Sequence, residues 1–382
     1  MFEYPLILAG AALLLPVRQK RGPGAGSRWF SGALYVAAPS ALGLAAYWVT
    51  AKGNASAWDL AWIAARTALT PETLYGGLTC GGLLLACLGL LFFRRPLLFG
   101  AGIAAVLLTM VMAKDLKENI LHRERSFFGV LTVARDSREH YTYLSHGTTL
   151  HGMQRTDPWW RHEPVAYYHP QGPAGQAFAE LPGASRNSPI AVTGLGAGSM
   201  VYFAGPGHPI DFYAIDPVVE KISKNPDYFT YLRDSRAKWR IILGDARLTM
   251  AKAPANHYGI IALDAFSSDS IPVHLLTREA FVLYLSKLRE DGVLLVHISN
   301  KYLDLAPVLG RLAETLGLAA RINDDESAER LGKYQSVWVL MARKEADFGS
   351  LARKKAWKGI ETKATVGLWT DDFSNLLSVF NW

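Results

Sequence analysis

Long uncharged apolar runs fill the first third of the chain, and shorter alternating runs fill the rest. Four of the long runs are candidate membrane spans: Tyr4–Pro16, Phe30–Thr50, Tyr75–Phe93 and Leu97–Ala113. A spanning helix needs about 20 apolar residues, so the first run is too short for a complete span. The pattern predicts a transmembrane helical region over residues 1–116, with about four spans in a lipid bilayer. It favours a membrane anchor, and transport or delivery of a substrate is the alternative.

In the remainder of the chain, short apolar runs alternate with helical stretches, which is typical of an α/β fold. Residues 125–160 predict a β-hairpin subdomain, because the β-branched run Phe127–Arg135 is followed by turn residues and then by the alternating run His140–Leu144. Seven further apolar runs alternate with helical stretches: Pro189–Thr193, Asp211–Ile215, Trp239–Leu243, Gly259–Leu263, Val293–Ile298, Ala319–Ile322 and Ser336–Ala342. They predict a seven-stranded, doubly wound Rossmann-like sheet of the class I methyltransferase type over residues 161–345. Residues 346–382 are predicted to form a C-terminal tail packed on that domain.

Composition and charge narrow the possible partners. Half of the residues are apolar and 19% are charged, which excludes a disordered or collagen-like chain. The net charge of +7 belongs to the first part, where nine Lys and Arg face three acids up to Lys114, against 31 and 30 afterwards. No nucleic-acid partner is therefore predicted, since phosphate binding needs basic stripes.

The cysteines and histidines predict no metal site. Cys80 and Cys87 both lie inside a candidate span, which leaves no thiolate zinc site and no disulfide framework. The spacing of His146, His151 and His169 fits no common ligand set.

A glycine-rich turn follows the first strand of the predicted Rossmann-like domain. The segment Gly194–Gly198 has glycine at positions 194, 196 and 198, which lets the backbone turn sharply and approach a ligand at the start of the next helix. Ser199 stands where a dinucleotide-binding fingerprint has its third glycine. The form is instead similar to the first motif of S-adenosylmethionine-dependent enzymes, and an ordinary tight turn is the structural alternative.

Acidic residues stand at the ends of successive predicted strands. Asp216 follows Gly196 by 20 residues, where an acid can accept hydrogen bonds from ribose hydroxyls. Asp245, followed by Ala246, ends the third strand and is placed to accept from an adenine amino group. Each acid also fits a helix N-cap. Because the carboxyl ends of parallel strands meet at one edge of a sheet, the two together predict a nucleoside site there.

Two further carboxylates, Asp264 and Asp269, occupy the loop after the fourth strand. Such a pair suits an amine substrate, because one carboxylate can hold an ammonium group while the other takes a proton from the attacking nitrogen. A loop stiffened by Asx and Ser turns is the structural alternative.

These segments together resemble the spermidine synthase family of aminopropyltransferases, and within it the bacterial membrane-spanning versions that carry a transporter-like helical part. The resemblance rests on Phe2–Leu6, His146–Gln154, Glu163–His169, Gly194–Gly198, Asp216, Gly244–Ala246, Asp264–Pro272 and Trp369–Asn375. It implies transfer of an aminopropyl group from decarboxylated S-adenosylmethionine to a di- or polyamine, with no metal. It also implies a multi-pass protein of the inner membrane. The sequence leaves the side of the membrane open, and the nucleotide-like cofactor favours a catalytic domain that faces the cytoplasm. A homodimer is left open.

The resemblance assigns roles by position. Asp264, Asp269 and Tyr168 are the expected catalytic residues. The expected cofactor-binding residues are Gln154, Gly194, Gly196, Gly198, Asp216, Asp245 and Ala246. The expected substrate-binding residues are Glu163, Tyr167, His169, Asp371 and Asp372.

One departure from the family pattern keeps two other functions open. Ala197 stands where the family usually has an acid that binds the aminopropyl ammonium of the donor. Either Glu163, Asp371 or Asp372 replaces that acid, or the donor is intact S-adenosylmethionine and the protein is a methyltransferase. A non-catalytic module that binds polyamines or regulates their transport is the third possibility.

Overall fold

A computed structural model describes residues 119–136, 140–147, 149–181, 188–265, 272–300, 302–327, 332–363 and 365–380. All of them belong to one compact unit, Asn119–Trp382. The predicted transmembrane region, residues 1–116, lies outside the described residues.

The membrane part of the predicted fold class is not supported. Among the described residues, no helix has both the length and the apolar composition needed to cross a bilayer. Here the apolar residues are divided into strands of at most ten residues and a longest α-helix of 11 residues, about half of what a span needs. For this described part of the chain, the predicted membrane-spanning fold and the predicted location in the inner membrane are wrong.

The predicted hairpin is in fact a four-stranded antiparallel sheet in the order β1-β2-β3-β4. Its strands are β1 (Asn119–Ser126), β2 (Gly129–Arg135), β3 (Tyr141–His146) and β4 (Thr149–Arg155). Strand β3 buries every second residue, which is the pattern of a sheet with one covered face. Strand β1 carries four charged or histidine side chains, so its sequence lacks the alternation that marks the other strands.

The second sheet contains all seven predicted strands and one more. Its strands are β5 (Ile190–Thr193), β6 (Pro209–Ala214), β7 (Lys238–Leu243), β8 (Tyr258–Leu263), β9 (Leu288–His297), β10 (Ala319–Asp325), β11 (Ser336–Ala342) and β12 (Lys358–Gly359). Their order is β12-β10-β11-β9-β8-β5-β6-β7. Strands β5 to β9 pair in parallel, whereas β11 is antiparallel to β9 and to β10, and β12 is antiparallel to β10. The sheet is therefore mixed and eight-stranded, which corrects the predicted seven.

Helices cover both faces of this sheet. They are α1 (Pro173–Glu180), α2 (Pro217–Lys224), α3 (Tyr231–Asp234), α4 (Ala246–Met250), α5 (Arg278–Lys287) and α6 (Ala306–Leu316). In the described ranges, four 3-10 helices span Ser199–Phe203, Val273–Leu275, Glu345–Arg353 and Leu376–Val379. Because helices cover both faces, all six residues of β8 are buried, and the core consists of two clusters, one on each face.

Candidate active site

A cavity of about 790 Å³ opens at the carboxyl edge of the large sheet. Residues from the ends of β5 to β9 line one side, and residues of β2, β3 and β4 line the other. The parallel strand order reverses between β5 and β8, which is where open α/β sheets bind their ligands. The lining carries five carboxylates, Asp216, Asp245, Asp264, Asp324 and Glu326, and among the described lining residues there is no Lys or Arg.

The glycine turn lies where three backbone segments come close together. Gly194 has φ +103°, and a Cβ there would lie 2.4 Å from the carbonyl oxygen of Asp264. Gly196 has φ +53°, and a Cβ there would lie 2.2 Å from the carbonyl oxygen of His151. Only glycine allows both the positive φ and this approach. Gly194 and Gly196 line the cavity, whereas Gly198 packs against Leu232.

A 3-10 helix of five residues, Ser199–Phe203, follows the glycine turn. The expected ligand site at a helix N-terminus is therefore not formed by a regular α-helix here. Ala197 is fully buried, and a Cβ on Gly152 would lie 2.6 Å from the Cβ of Ala197. The side chain of residue 197 thus packs against β4 and is not part of the cavity lining.

Asp216 and Asp245 line the cavity and also cap helices. The Oδ1 atom of Asp216 accepts a hydrogen bond of 2.9 Å from the backbone N–H of Val218, at the start of α2. The Oδ1 atom of Asp245 accepts one of 2.9 Å from the N–H of Leu248, and its Oδ2 lies 3.0 Å from Nε2 of His274. Ala246, the first residue of α4, also lines the cavity. Capping fixes the direction of each carboxylate and leaves further acceptor positions for a ligand.

Asp264 is the most firmly held carboxylate of the cavity. Tyr168 donates its hydroxyl to Oδ2, and Nδ1 of His297 lies 2.7 Å from Oδ1. The side chains of Asp264 and His297 are only 10% and 5% exposed. Burial, and then the negative charge of Asp264, raise the pKa of Tyr168 well above its ordinary value. Tyr168 therefore stays protonated and remains a donor.

Several predicted substrate and cofactor residues lie away from the lining. Gln154 is buried, donates its amide to the carbonyl of Arg161 at 2.8 Å and to Oγ1 of Thr230 at 3.0 Å, and accepts from the N–H of Thr230 at 2.8 Å. Its amide joins β4 to the residue before α3. Glu163 and His169 also lie outside the lining, whereas Tyr167 is part of it.

The two predicted tail acids do not line the cavity either. Asp371 accepts two hydrogen bonds of 2.6 Å from Arg247 and one of 2.7 Å from Thr277. The hydrogen bonds from Arg247, and then the one from Thr277, lower the pKa of Asp371 to about 2. Asp371 therefore holds the tail against α4 and α5, and Asp372 is exposed. Asp269 lies outside the described residues.

The sequence interpretation missed His297 and His274 as candidate functional residues. His297 is the last residue of β9, just as Asp264 directly follows β8. The rule that ligands bind at the ends of parallel strands could therefore have identified His297. His274 follows the undescribed residues 266–271, and no sequence signal marked it. No group of three histidine, cysteine or acidic side chains in the described ranges is placed to hold a metal ion.

Comparison with known proteins finds partial similarity. A polyamine aminopropyltransferase from Vibrio vulnificus is 34% identical over 113 residues, which cover 28% of this chain and 36% of that relative. The chain thus matches about a third of the length of the curated relative. No family model matches.

Two solved structures are similar at low identity. A "probable spermidine synthase" from Corynebacterium glutamicum is 16% identical, with a TM-score of 0.45 over 65% of this chain and 98% of that one. The spermidine synthase of Thermotoga maritima is 14% identical, with a TM-score of 0.41 over 64% and 81%. The sequence match to the Vibrio enzyme supports the resemblance to the spermidine synthase family, and the membrane-spanning subgroup is not shown by it.

Proposed function

We propose that the protein is an aminopropyltransferase of the spermidine synthase type. It moves the aminopropyl group of decarboxylated S-adenosylmethionine to the nitrogen of a di- or polyamine. The observation that carries the proposal is the buried Asp264 carboxylate, held at both oxygens and placed next to the glycine turn in an acidic cavity.

Asp264 has the chemistry that the transfer needs. The lone pair of the amine forms the new C–N bond while the C–S bond breaks, and the electron pair of that bond neutralises the sulfonium as a thioether. The nitrogen must then lose a proton, and a fixed carboxylate in a closed site is a competent acceptor. Asp264 is only 10% exposed and lies within the cavity, so the proton passes to Asp264 and not to bulk water.

The residues near the glycine turn fit the adenosyl part of the donor. Among the described residues, the carboxylate of Asp216 has one hydrogen-bond partner, Val218, so its second oxygen is available to ribose hydroxyls. Asp245 follows the neighbouring strand β7, and its carboxylate keeps further acceptor positions for the adenine amino group. On the opposite wall, the buried Oγ1 atom of Thr149 has no hydrogen-bond partner among the residues that the structure describes, as expected for a group that a ligand completes.

The charge of the cavity fits a cationic acceptor. Burial, and then repulsion from Glu326, raise the pKa of Asp324 above its ordinary value. An ammonium group between these two carboxylates would relieve that repulsion. Asp324 and Glu326 line the cavity, whereas Glu163, Asp371 and Asp372 do not, so we assign the second ammonium group of the acceptor amine to Asp324 and Glu326.

Methyl transfer from intact S-adenosylmethionine is the second candidate, and the burial of Ala197 favours it. Ala197 is buried against Gly152 and supplies no carboxylate, so the ammonium contact expected from the family pattern is absent at this position.

Product analysis separates the two functions. The purified protein is incubated with either donor and a panel of diamines and polyamines, and the nucleoside product is identified by mass spectrometry. Aminopropyl transfer gives methylthioadenosine, and methyl transfer gives S-adenosylhomocysteine. Asp264→Asn should reduce aminopropyl transfer at least about 100-fold, because it removes the positioned base. Nucleoside binding without either product would instead support a non-catalytic module.

A further inference from the structure

His297, which holds one oxygen of Asp264, is itself buried and fixed by further contacts. Its ring stacks on the ring of Trp338, with ring centroids 4.4 Å apart and an interplanar angle of 15°. The ring centroid of Tyr167 lies 5.2 Å from that of His297. Nδ1 lies 2.7 Å from Asp264 Oδ1, and Nε2 lies 2.7 Å from Oγ of Ser299. The ring is therefore fixed by stacking and at both nitrogens.

The contact with Asp264 requires a proton on Nδ1 of His297. An ionised carboxylate can only accept hydrogen bonds, so Nδ1 of His297 must donate to Asp264. Oγ of Ser299 already accepts the N–H of Val337 at 2.8 Å, and its own proton is available to Nε2. The hydrogen-bond pattern is satisfied by a neutral imidazole with its proton on Nδ1.

We propose that His297 is a positioning residue of the transfer reaction. As the neutral Nδ1–H tautomer, set by Ser299, it holds one oxygen of Asp264 while Tyr168 holds the other. This role rests on the proposed function, because it matters only if Asp264 takes the proton of the amine. Two donors leave about two of the four acceptor positions of the carboxylate for the substrate nitrogen.

Two isosteric variants separate this role from simple packing. The amide nitrogen of asparagine reaches the place of Nδ1, whereas that of glutamine reaches the place of Nε2. His297→Asn keeps the donor to Asp264 and should lose about tenfold in kcat, since the neutral bond to Ser299 and the stacking on Trp338 are lost while Asp264 stays held. His297→Gln and His297→Phe remove the donor to Asp264 and should lose about 100-fold in kcat, because the base is no longer held in place.

The controls separate loss of positioning from loss of fold. The KM for the donor should stay within a few-fold of the wild-type value in all three variants, since Asp216 and Asp245 bind the nucleoside. His162→Asn, at an exposed histidine outside the cavity lining, should leave turnover unchanged. Equal losses for the asparagine and glutamine variants, or a better rescue by glutamine, would overturn the proposal.

A second measurement needs no turnover. In protein labelled with ¹⁵N-histidine, the resonances of His297 are those that disappear in His297→Asn. We expect a protonated Nδ1 and an unprotonated Nε2 at neutral pH, and a change at Nδ1 in Asp264→Asn. The opposite tautomer would refute the role of His297. The expected tautomer in a protein that transfers no aminopropyl group would instead refute the proposed function alone.

Discussion

The close approach between the glycine turn and the end of β8 predicts a specific cost for Gly194→Ala. A Cβ at this position would lie 2.4 Å from the carbonyl oxygen of Asp264, about 1 Å inside an ordinary contact, and φ is +103°. A strained φ costs about 1–3 kcal/mol. Forcing an extra methyl group into packed surroundings costs about 1–3 kcal/mol more. The backbone of Asp264 must also move, and a displacement of about 1 Å can reduce turnover about 100-fold.

Gly207→Ala is the matched control for this variant. Gly207 has φ +73°, and no heavy atom lies within 4 Å of its built Cβ, so the substitution tests the strain alone. Denaturant unfolding should show Gly194→Ala to be destabilised by about 1–3 kcal/mol more than the control, since only the collision differs. Turnover should fall in Gly194→Ala and not in Gly207→Ala. Equal destabilisation with retained turnover would show that Gly194 and Asp264 are not packed together as described.

Three further predictions concern the acids and the tyrosine. The double variant Asp324→Asn, Glu326→Gln should raise the KM for the acceptor amine about tenfold and change the KM for the donor little. The reason is that a charge-assisted hydrogen bond contributes about 1.5–3 kcal/mol. An unchanged KM for the acceptor would contradict the role of these two acids. Tyr168→Phe should lower kcat about tenfold or more, since Asp264 loses one hydrogen-bond donor. Single-turnover kinetics measure the loss, and full activity of the variant would contradict the role of Tyr168. The pKa of Asp371 is lowered to about 2 by Arg247, so its stabilisation is present above the unfolded-state pKa of about 3.9 and is lost as the pH falls towards 2. Asp371→Asn should therefore be less stable than the wild type at pH 7, by no more than about 1 kcal/mol for such an exposed pair, and the difference in thermal unfolding should disappear only as the pH falls below about 2.

Strand positions were predictable where burial dominates the sequence. Strand β11 spans Ser336–Ala342, the same bounds that the apolar run predicts, because the helices cover both faces of this strand. Strand β1 could not be found this way, since its charged residues follow no apolar alternation. The short strand Lys358–Gly359 depends on its pairing with β10 and has no local signal.

The candidate site was predictable where strand ends carry acids. The positions of Asp216, Asp245 and Asp264 at successive strand ends predict that they share one edge, and all three line the cavity. The pairing of Asp264 with His297 joins residues 33 positions apart through strand packing, which no local pattern encodes. For the same reason the ion pair that removes Asp371 from the cavity, with Arg247 124 positions away, was not foreseen.

The most direct test of the account follows both products of one reaction. Wild-type protein and Asp264→Asn are given decarboxylated S-adenosylmethionine and a polyamine, and methylthioadenosine and the elongated amine are quantified over time. The account predicts equal amounts of the two products with the wild type, and a rate at least about 100-fold lower with Asp264→Asn. Wild-type turnover retained in Asp264→Asn, or methylthioadenosine formed without an elongated amine, would contradict it.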